Sequence, residues 1–360
     1  MERYLIVSGI AAALMAFLMV YLAGIARKID LVDKPGPRKH HELEVPLIGG
    51  VGLGTVFFLS MLLMPFSLRD YRLLFFSGAL ILIIGVLDDR RDISASIKLI
   101  LQVVICTILV TLSGLNIPDI GDVFSKGVAQ GLNVVALPFT VLAIVGVINA
   151  VNMIDGHDGL AGGTSVISLS ALAFLCYRGG FLDYAGVLVL LGGLTSVFLL
   201  FNLAVFGQKR KVFLGDAGSM FLGLLLAYFI IRFNNHPLPE HISSVGGVIV
   251  KTTAAPWLLG LPLLDLISSV IRRLFGTRPV MAADRGHVHH KLIGLGYSKT
   301  SINIILLTAH SIFVFVGCVG TIYNWADWIL FWTPIALVGI YVTQDIYWEK
   351  KLFSEPWQNR

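Results

Sequence analysis

The sequence predicts an all-α integral membrane protein with many membrane-spanning helices. Of the 360 residues, 56% are hydrophobic and only 14% are charged, whereas soluble globular proteins carry about 25% charged residues. The mean hydropathy is +0.83. Apolar runs long enough to cross a bilayer as helices recur along the whole chain. We therefore expect about eleven spans in a single domain, 1–360, with no separate soluble domain.

The expected spans follow the successive apolar runs of the chain. They are placed near 4–26, 46–65, 71–87, 97–114, 133–151, 160–178, 183–206, 212–232, 246–271, 302–322 and 327–347. The first run is too long for a signal peptide, and its positive charges, Arg27 and Lys28, follow it rather than precede it.

The distribution of Lys and Arg predicts how the chain is oriented in the membrane. Of the 27 Lys and Arg residues, 20 fall after the first, third, seventh and ninth expected spans or at the C-terminus. The positive-inside rule places this side in the cytoplasm, with the N-terminus outside and the C-terminus inside. The longest cytoplasmic loop is then expected at 272–300. The net charge of +5 is modest and does not indicate a nucleic-acid partner.

One polar stretch, 149–163, lies between two apolar runs. It holds two amides, the carboxylates of Asp155 and Asp158, one imidazole and four glycines. Polar groups this dense are costly near hydrocarbon, which favours a functional role. Their carboxylate and amide oxygens are ligands that Mg²⁺ prefers. The alternative is a glycine-rich loop with an Asp at a helix start, which would need only one carboxylate.

Paired carboxylates, Asp88 and Asp89, end the third expected span. One of them could bind a metal or phosphate-bound Mg²⁺ while the other orients or deprotonates a substrate. The alternative is a solvated helix end beside Arg90 and Arg91. Alone, the pair does not distinguish these interpretations.

Asp216 lies near the start of the eighth expected span and follows the basic segment 209–211. An N-cap role and a ligand-binding role are both compatible with this position. The fourth, sixth and eighth spans all begin on the predicted cytoplasmic side. Their N-termini carry positive partial charge and free N–H groups, which favour phosphate binding.

Three histidines, His287, His289 and His290, follow Arg285 in the longest predicted loop. Such a cluster could bind zinc. However, no Cys lies nearby, and we expect the adjacent His289 and His290 to point in different directions. Contact with an anion or a sugar is therefore favoured over a metal site.

Two further features, a basic segment and an acid within a span, each have more than one interpretation. Lys34 and Arg38 lie in a basic segment that is either a topology signal or a contact for phosphate or a lipid headgroup. Asp265 lies late in the ninth expected span, where an acid is a functional candidate by default. It could equally pair with Arg272 or Arg273, and we leave it unassigned.

Six motifs carry a resemblance to a known family. They lie at 31–40, 46–50, 87–90, 149–160, 212–219 and 284–290. With these motifs in this order, the chain resembles the polyprenyl-phosphate N-acetylhexosamine-1-phosphate transferases over nearly its whole length. The Asp-Arg-x-His-x-His-His form of the last motif is similar to the branch that begins O-antigen, enterobacterial common antigen or wall teichoic acid synthesis.

The resemblance implies a reaction. UDP-N-acetylglucosamine and undecaprenyl phosphate would give undecaprenyl-diphospho-N-acetylglucosamine and UMP, with Mg²⁺ or Mn²⁺ as cofactor. The site would face the cytoplasm in a bacterial inner membrane, and a homodimer is expected by analogy. Both direct transfer and an aspartyl-phosphate intermediate fit the resemblance. So does another UDP-HexNAc, such as UDP-MurNAc-pentapeptide or a 6-deoxy sugar.

The resemblance also implies roles at the acidic motifs. Asn152 and Asp216 would hold the metal on the diphosphate. Asp88 would orient or deprotonate the lipid phosphate, with Asp89 in support. Lys98 would contact phosphate.

At the other motifs, the resemblance implies contacts to the nucleotide and the sugar. Asp155 and Asp158 would lie at the nucleotide end, with Asp155 among the catalytic groups and Asp158 facing uracil. The groups expected to close over the sugar and its diphosphate are Arg285, His287, His289 and His290.

A different class, a transporter or flippase for a phosphorylated substrate, is the main alternative. Transporters tend to place polar groups near the bilayer midplane on broken helices. Here the motifs gather at one predicted face, which favours an enzyme. Release of UMP would discriminate the two classes.

Overall fold

The structure, a computed structural model, describes residues 2–34, 43–234, 250–275 and 286–352, and it is almost entirely helical there. The helices are α1 (Glu2–Lys28), α2 (Gly49–Met61), α3 (Arg72–Arg91), α4 (Ala95–Ser113), α5 (Ala136–Ile154), α6 (Leu160–Arg178), α7 (Leu182–Asn202), α8 (Gly215–Asn234), α9 (Ala255–Leu258), α10 (Gly260–Phe275), α11 (Val288–Gly294), α12 (Lys299–Ile322) and α13 (Asp327–Leu352). Two short strands, β1 (Val32–Asp33) and β2 (Val45–Pro46), pair antiparallel.

Within these ranges, eight helices are long and apolar enough to cross a membrane, and the bent pair α9–α10 makes up to nine. The chain is therefore a polytopic, all-α membrane protein, as the sequence predicts. The count of eleven and the orientation of the termini stay predictions. Helix α2 is apolar but has only 13 residues. Helix α13 has 26 residues but is not among the nine.

The second predicted span, 46–65, is shorter than expected. Its first residue, Pro46, lies in strand β2 opposite Val32, so this part of the run is extended. Helix α2 ends at Met61, and the chain turns before Pro65. Residues that precede a proline disfavour helical conformation, which is consistent with this early end.

The ninth predicted span, 246–271, is not one straight helix. Helices α9 and α10 meet at an angle of 89°. Pro262 has no N–H to donate to Leu258 four residues earlier, so the helical hydrogen bond is lost there. The freed Leu258 carbonyl accepts a hydrogen bond from Ser168 Oγ at 2.7 Å. The Leu261 N–H donates to His310 Nδ1 at 3.3 Å. Side chains of neighbouring helices therefore bond the backbone groups that the break leaves free.

Helix α8 lies at the centre of the bundle. In its most apolar 18-residue window, 89% of the residues are buried, against 22% for α1. Glycines let other helices approach it closely. A Cβ on Gly50 of α2 would lie 2.1 Å from the Gly218 nitrogen, and one on Gly85 of α3 would lie 2.2 Å from the Ala217 Cα. Small residues allow this close backbone contact. In a bilayer, where no hydrophobic force drives helices together, such van der Waals packing stabilises the bundle.

The predicted loop 272–300 is partly helical. Helix α10 continues to Phe275, α11 begins at Val288, and α12 begins at Lys299. Residues 276–285 lie outside the described ranges, and Arg285 is among them.

Candidate functional site

Two distant motifs join at the start of the central helix. The Gly49 and Gly50 N–H groups donate to the carbonyls of Phe213 and Leu214, each at 2.9 Å. In return, the Phe213 N–H donates to Pro46 O at 2.9 Å. The motifs 46–50 and 212–219 therefore form one strand-like junction, which places the N-termini of α2 and α8 side by side.

Asp89 fixes the N-terminus of α8 from the end of α3. Its Oδ1 accepts from the Asp216 N–H at 2.8 Å, and its Oδ2 accepts from the Ala217 N–H at 3.3 Å. The first N–H groups of a helix have no partner within it, so an external carboxylate stabilises them. A Cβ at Gly215, where φ is +72°, would lie 2.5 Å from Asp89 Oδ2. Asp89 therefore holds the first turn of α8 in place.

The ends of four helices meet in what we call the carboxylate–lysine centre, formed by Asp88, Lys98, Asn152 and Asp216. Lys98 Nζ lies 2.5 Å from Asp88 Oδ2 and 2.7 Å from Asp216 Oδ2. Asn152 Nδ2 donates to Asp216 Oδ1 at 2.9 Å. The Asp88 side chain is only 5% exposed, whereas that of Asp216 is 34% exposed. The centre therefore joins α3, α4, α5 and α8, and it opens on the Asp216 side.

A second polar layer lies one helical turn deeper. Gln102 Oε1 accepts from Asn149 Nδ2 at 2.7 Å, and Gln102 Nε2 contacts Met220 Sδ at 3.1 Å. Gln102 is fully buried. This layer holds α4, α5 and α8 together beneath the carboxylate–lysine centre.

Asp155 follows α5 and has a different environment. Its side chain makes no hydrogen bond or ion pair with any residue that the structure describes, and part of its surface remains accessible. Burial raises its pKa well above the usual range, and the negative charges of Asp216, Asp89 and Asp158 add to this effect. A carboxyl group with a strongly raised pKa is typical of functional sites.

Asp158 lies among cations that the motif analysis did not single out. Its Oδ2 is 2.7 Å from Lys211 Nζ and 3.6 Å from Lys299 Nζ. The loop is further fixed by Asn202 Oδ1, which accepts from the Gly159 N–H at 2.6 Å. The Asp158 carbonyl accepts from Asn303 Nδ2 at 2.8 Å. Helices α7 and α12 thus hold the loop that carries Asp155 and Asp158.

Four imidazoles form what we call the histidine cluster: His157, His287, His289 and His290. The rings of His289 and His290 have centroids 4.3 Å apart, and those of His287 and His289 are nearly parallel at 5.9 Å. The planes of the His289 and His290 rings are tilted by 42°, and the expectation that the two side chains point in different directions stays a prediction. Both follow the first residue of the short helix α11, which packs them together. His157 joins from the α5–α6 loop, with its ring centroid 6.2 Å from that of His289.

His289 is 1% exposed, and neither ring nitrogen has a hydrogen-bond partner in the described part of the chain. Burial, and secondly the neighbouring His290, lower its pKa to about 3. Burial also lowers the pKa of His157. The absence of a side chain at Gly156 makes room for the ring, since a Cβ there would lie 2.8 Å from His289 Nε2.

Asp265 pairs with the histidine cluster rather than with the arginines proposed as its alternative partners. Its Oδ2 lies 2.9 Å from His287 Nδ1, and its Oδ1 accepts from the Val288 N–H at 3.0 Å. Arg272 instead donates to Ser268 O and Ser269 Oγ. Sequence reasoning missed this pairing because 22 residues separate Asp265 from His287.

Some candidate residues are not brought to the site. Lys34 Nζ lies 2.8 Å from Asp30 Oδ1, and its side chain is 56% exposed. It makes no hydrogen bond or ion pair with the other candidates that the structure describes. Arg38 and Arg285 lie outside the described residues.

The donor chemistry around Asp216 fits a hard divalent cation. The described residues contain no group of three or more His, Cys, Asp or Glu side chains placed to hold a metal. Mg²⁺, however, is usually bound by one or two carboxylates together with substrate phosphates and water. Asp88 and Asp216 both contact the Lys98 ammonium, so their oxygens already converge on a positive charge. Asn152 presents its amide nitrogen to Asp216, and its oxygen is the atom that a metal would use.

Comparison with known proteins identifies the family of the chain. A family model described as "Glycosyl transferase family 4" matches residues 71–234, which include the carboxylate–lysine centre. A protein of Haemophilus influenzae is 32% identical over 332 residues, covering 91% of this chain and 90% of its own length. The chain belongs to glycosyl transferase family 4. The resemblance drawn from the six motifs is thereby confirmed.

Three relatives of this family 4 protein share one name. The Haemophilus protein is named undecaprenyl-phosphate alpha-N-acetylglucosaminyl 1-phosphate transferase. A protein of the same name from Yersinia pestis is 30% identical over 336 residues, covering 90% of this chain and 87% of its own. One from Escherichia coli K12 is 26% identical over 326 residues, covering 88% and 84%. The similarity thus extends well beyond the residues that the family model matches.

Proposed function

We infer that this family 4 protein transfers N-acetylglucosamine 1-phosphate from UDP-N-acetylglucosamine to undecaprenyl phosphate and releases UMP. The observation that carries this assignment is the carboxylate–lysine centre, which gathers groups suited to a diphosphate at one end of the bundle. The names of relatives that align with about nine-tenths of the chain support the substrates. Phosphoryl transfer depends mainly on positioning and charge stabilisation, which this centre can provide.

In the transfer, an oxygen of the lipid phosphate attacks the sugar-linked phosphorus of the nucleotide. The bond from that phosphorus to the bridging oxygen breaks, and UMP leaves with the electron pair. Asp88 orients the lipid phosphate or takes its proton, and Lys98 contacts phosphate charge beside it. Asp89 keeps the N-terminus of α8 and therefore Asp216 in place. Asp155 is the further carboxyl group available to the reaction.

Asp216 and Asn152 would hold Mg²⁺ or Mn²⁺. The cation would neutralise charge on the diphosphate when bound. Lys98 lies between Asp88 and Asp216, so its ammonium keeps these two acids close together without relying on the metal. The chain's own residues thus set the spacing of the acidic groups.

The histidine cluster and Asp158 would contact the donor. His287, His289 and His290 would face the sugar and its diphosphate, and Asp158 would face uracil. Lys211 and Lys299 hold the Asp158 carboxylate, which fixes its direction. The site would face the cytoplasm of a bacterial inner membrane, where UDP-sugars are available, in accordance with the Lys and Arg distribution.

A transporter is the second candidate, and the broken pair α9–α10 is the observation that favours it. The break itself is filled by Ser168 and His310, which bond its free backbone groups. The carboxylate–lysine centre lies instead on the ends of four other helices. We therefore favour the transferase.

The decisive experiment uses purified full-length protein in detergent with undecaprenyl phosphate, Mg²⁺ and a panel of UDP-sugars. We expect UMP release with UDP-N-acetylglucosamine, and none when undecaprenyl phosphate or the divalent cation is omitted. The panel includes UDP-MurNAc-pentapeptide and a UDP-6-deoxy-HexNAc. UMP release only with one of these would change the sugar, and no UMP with any donor would contradict the transferase.

A further inference from the structure

Asp265 of α10 makes two contacts at once with the segment that carries the histidine cluster. Its Oδ2 lies 2.9 Å from His287 Nδ1 and its Oδ1 accepts from the Val288 N–H at 3.0 Å. Asp265 is 1% exposed and His287 is 8% exposed, so the contact is shielded from water. One carboxylate therefore ties both a histidine side chain and the first turn of α11 to a membrane helix.

The contact also determines where His287 carries its proton. A carboxylate only accepts hydrogen bonds, so His287 Nδ1 must be the donor. Nε2 is then the nitrogen left for a ligand, and it has no hydrogen bond with the residues that the structure describes. Carboxylates that hold an imidazole in one tautomer and one orientation are a general device of catalytic and metal sites.

We propose that Asp265 is a positioning residue for the transfer reaction: it fixes the tautomer and the direction of His287, so that the Nε2 lone pair accepts a hydrogen bond from a hydroxyl group of the donor's sugar. The inference rests on the proposed function. It gives a role to a buried acid that has no contact with the carboxylate–lysine centre. It also explains how the histidine that directly precedes the short helix α11 is held against a membrane helix.

The substitution Asp265→Asn separates positioning from helix capping. An amide can still accept from the Val288 N–H through its oxygen, but its NH₂ group then faces His287 Nδ1. All contacts are satisfied only if His287 moves its proton to Nε2, which is the opposite tautomer. Asp265→Ala removes both contacts. We therefore expect Asp265→Asn to keep the wild-type thermal midpoint while kcat/KM for UMP release falls by about 10- to 100-fold.

A double-mutant cycle tests whether Asp265 acts through His287. We expect His287→Gln alone and the double variant Asp265→Asn with His287→Gln to have similar kcat/KM. His287→Gln already removes the contact between residues 265 and 287, so adding Asp265→Asn has nothing further to remove. The matched control is Ser268→Ala. Ser268 is buried on the same helix, and among the described residues its hydroxyl donates to the Asp265 backbone carbonyl and not to its carboxylate. This variant is expected to retain wild-type kcat/KM.

Each outcome is informative. Losses that multiply in the double variant, or an Asp265→Asn variant within threefold of wild type, would overturn the role of Asp265. The same follows if Asp265→Asn lowers the thermal midpoint as far as Asp265→Ala, since capping would then explain the loss. A wild-type protein that releases no UMP would instead overturn the proposed function, and this inference with it.

Discussion

The carboxylate–lysine centre and the histidine cluster differ in how their polar groups are satisfied. In the first, Asp88, Asn152 and Asp216 bond to one another through Lys98 or directly. In the second, His289 is fully buried, and both ring nitrogens lack partners among the described residues. The first lies on the ends of long helices, whereas the second is divided between the seven-residue helix α11, the residue before it and the α5–α6 loop.

This difference indicates a division of labour. The paired acids and lysine are rigid because four helix ends hold them, so they can set the geometry of the reacting phosphates. A buried polar ring without a partner costs folding free energy. Such an unpartnered group is more often found where a site is kept for a ligand. We therefore expect substrate binding to change the histidine cluster more than the carboxylate–lysine centre.

The largest effect is expected from Asp216→Asn, which removes one charge from the carboxylate–lysine centre. Lys98 would keep only Asp88 as an ionic partner, and the metal would lose a carboxylate. We expect UMP release to fall by about 100- to 1,000-fold, with insertion and thermal midpoint largely preserved. The control is Asp70→Asn, an exposed acid just before the other end of α3. Near wild-type turnover of Asp216→Asn at saturating Mg²⁺ would contradict the assignment.

An intermediate effect is expected from Gly156→Ala, which tests the histidine cluster. The new Cβ would lie 2.8 Å from His289 Nε2 and would displace that ring. We expect kcat/KM for the UDP-sugar to fall by about 10- to 100-fold. Gly146→Ala is the matched control, because a Cβ there would meet no atom within 4 Å. Equal kinetics for the two variants would show that the position of His289 does not matter.

The smallest effect is expected in the pH dependence of stability. The pKa of His289 is about 3 in the folded protein, against about 6.5 in an unfolded chain. Below pH 6.5 the unfolded chain therefore binds a proton that the folded protein excludes, and stability falls as the pH falls. One such group contributes up to about 1.4 kcal/mol per pH unit.

The measurement compares thermal midpoints of the wild type and His289→Asn between pH 6.5 and 5. The wild type should lose more stability over this interval than the variant. Comparing the two proteins removes the contributions of other titrating groups. These include Asp155, whose raised pKa acts in the opposite direction. Parallel pH profiles would contradict the buried neutral state of His289.

The sequence predicted the membrane fold well because apolar runs are a direct consequence of the bilayer thickness. The sequence did not predict the bend in the ninth span, because that bend depends on backbone hydrogen bonds to other helices. The bend between α9 and α10 depends on partners from α6 and α12, Ser168 and His310, which no local pattern reveals. Pro262 was the available signal, since a proline inside a predicted helix removes one hydrogen bond.

The candidate site was predicted in part. Asp88, Asn152 and Asp216 do converge, and the motifs indicated their shared chemistry. Lys211 and Asp265 were not assigned, because their importance comes from partners that are distant in sequence. The basic run 209–211 was visible, but only the fold shows that Lys211 turns inward to Asp158.

The capping of α8 by Asp89 has a consequence for biogenesis. Chains are synthesised from the N-terminus, so Asp88, Asp89 and Lys98 enter the membrane long before residue 215 leaves the ribosome. Until then, Asp89 lacks the two N–H groups that it accepts from in the finished protein. A nascent chain truncated before α8 would thus leave the Asp89 carboxylate without these two partners, although Lys98 is already available to Asp88. The carboxylate–lysine centre is completed only when the central helix arrives.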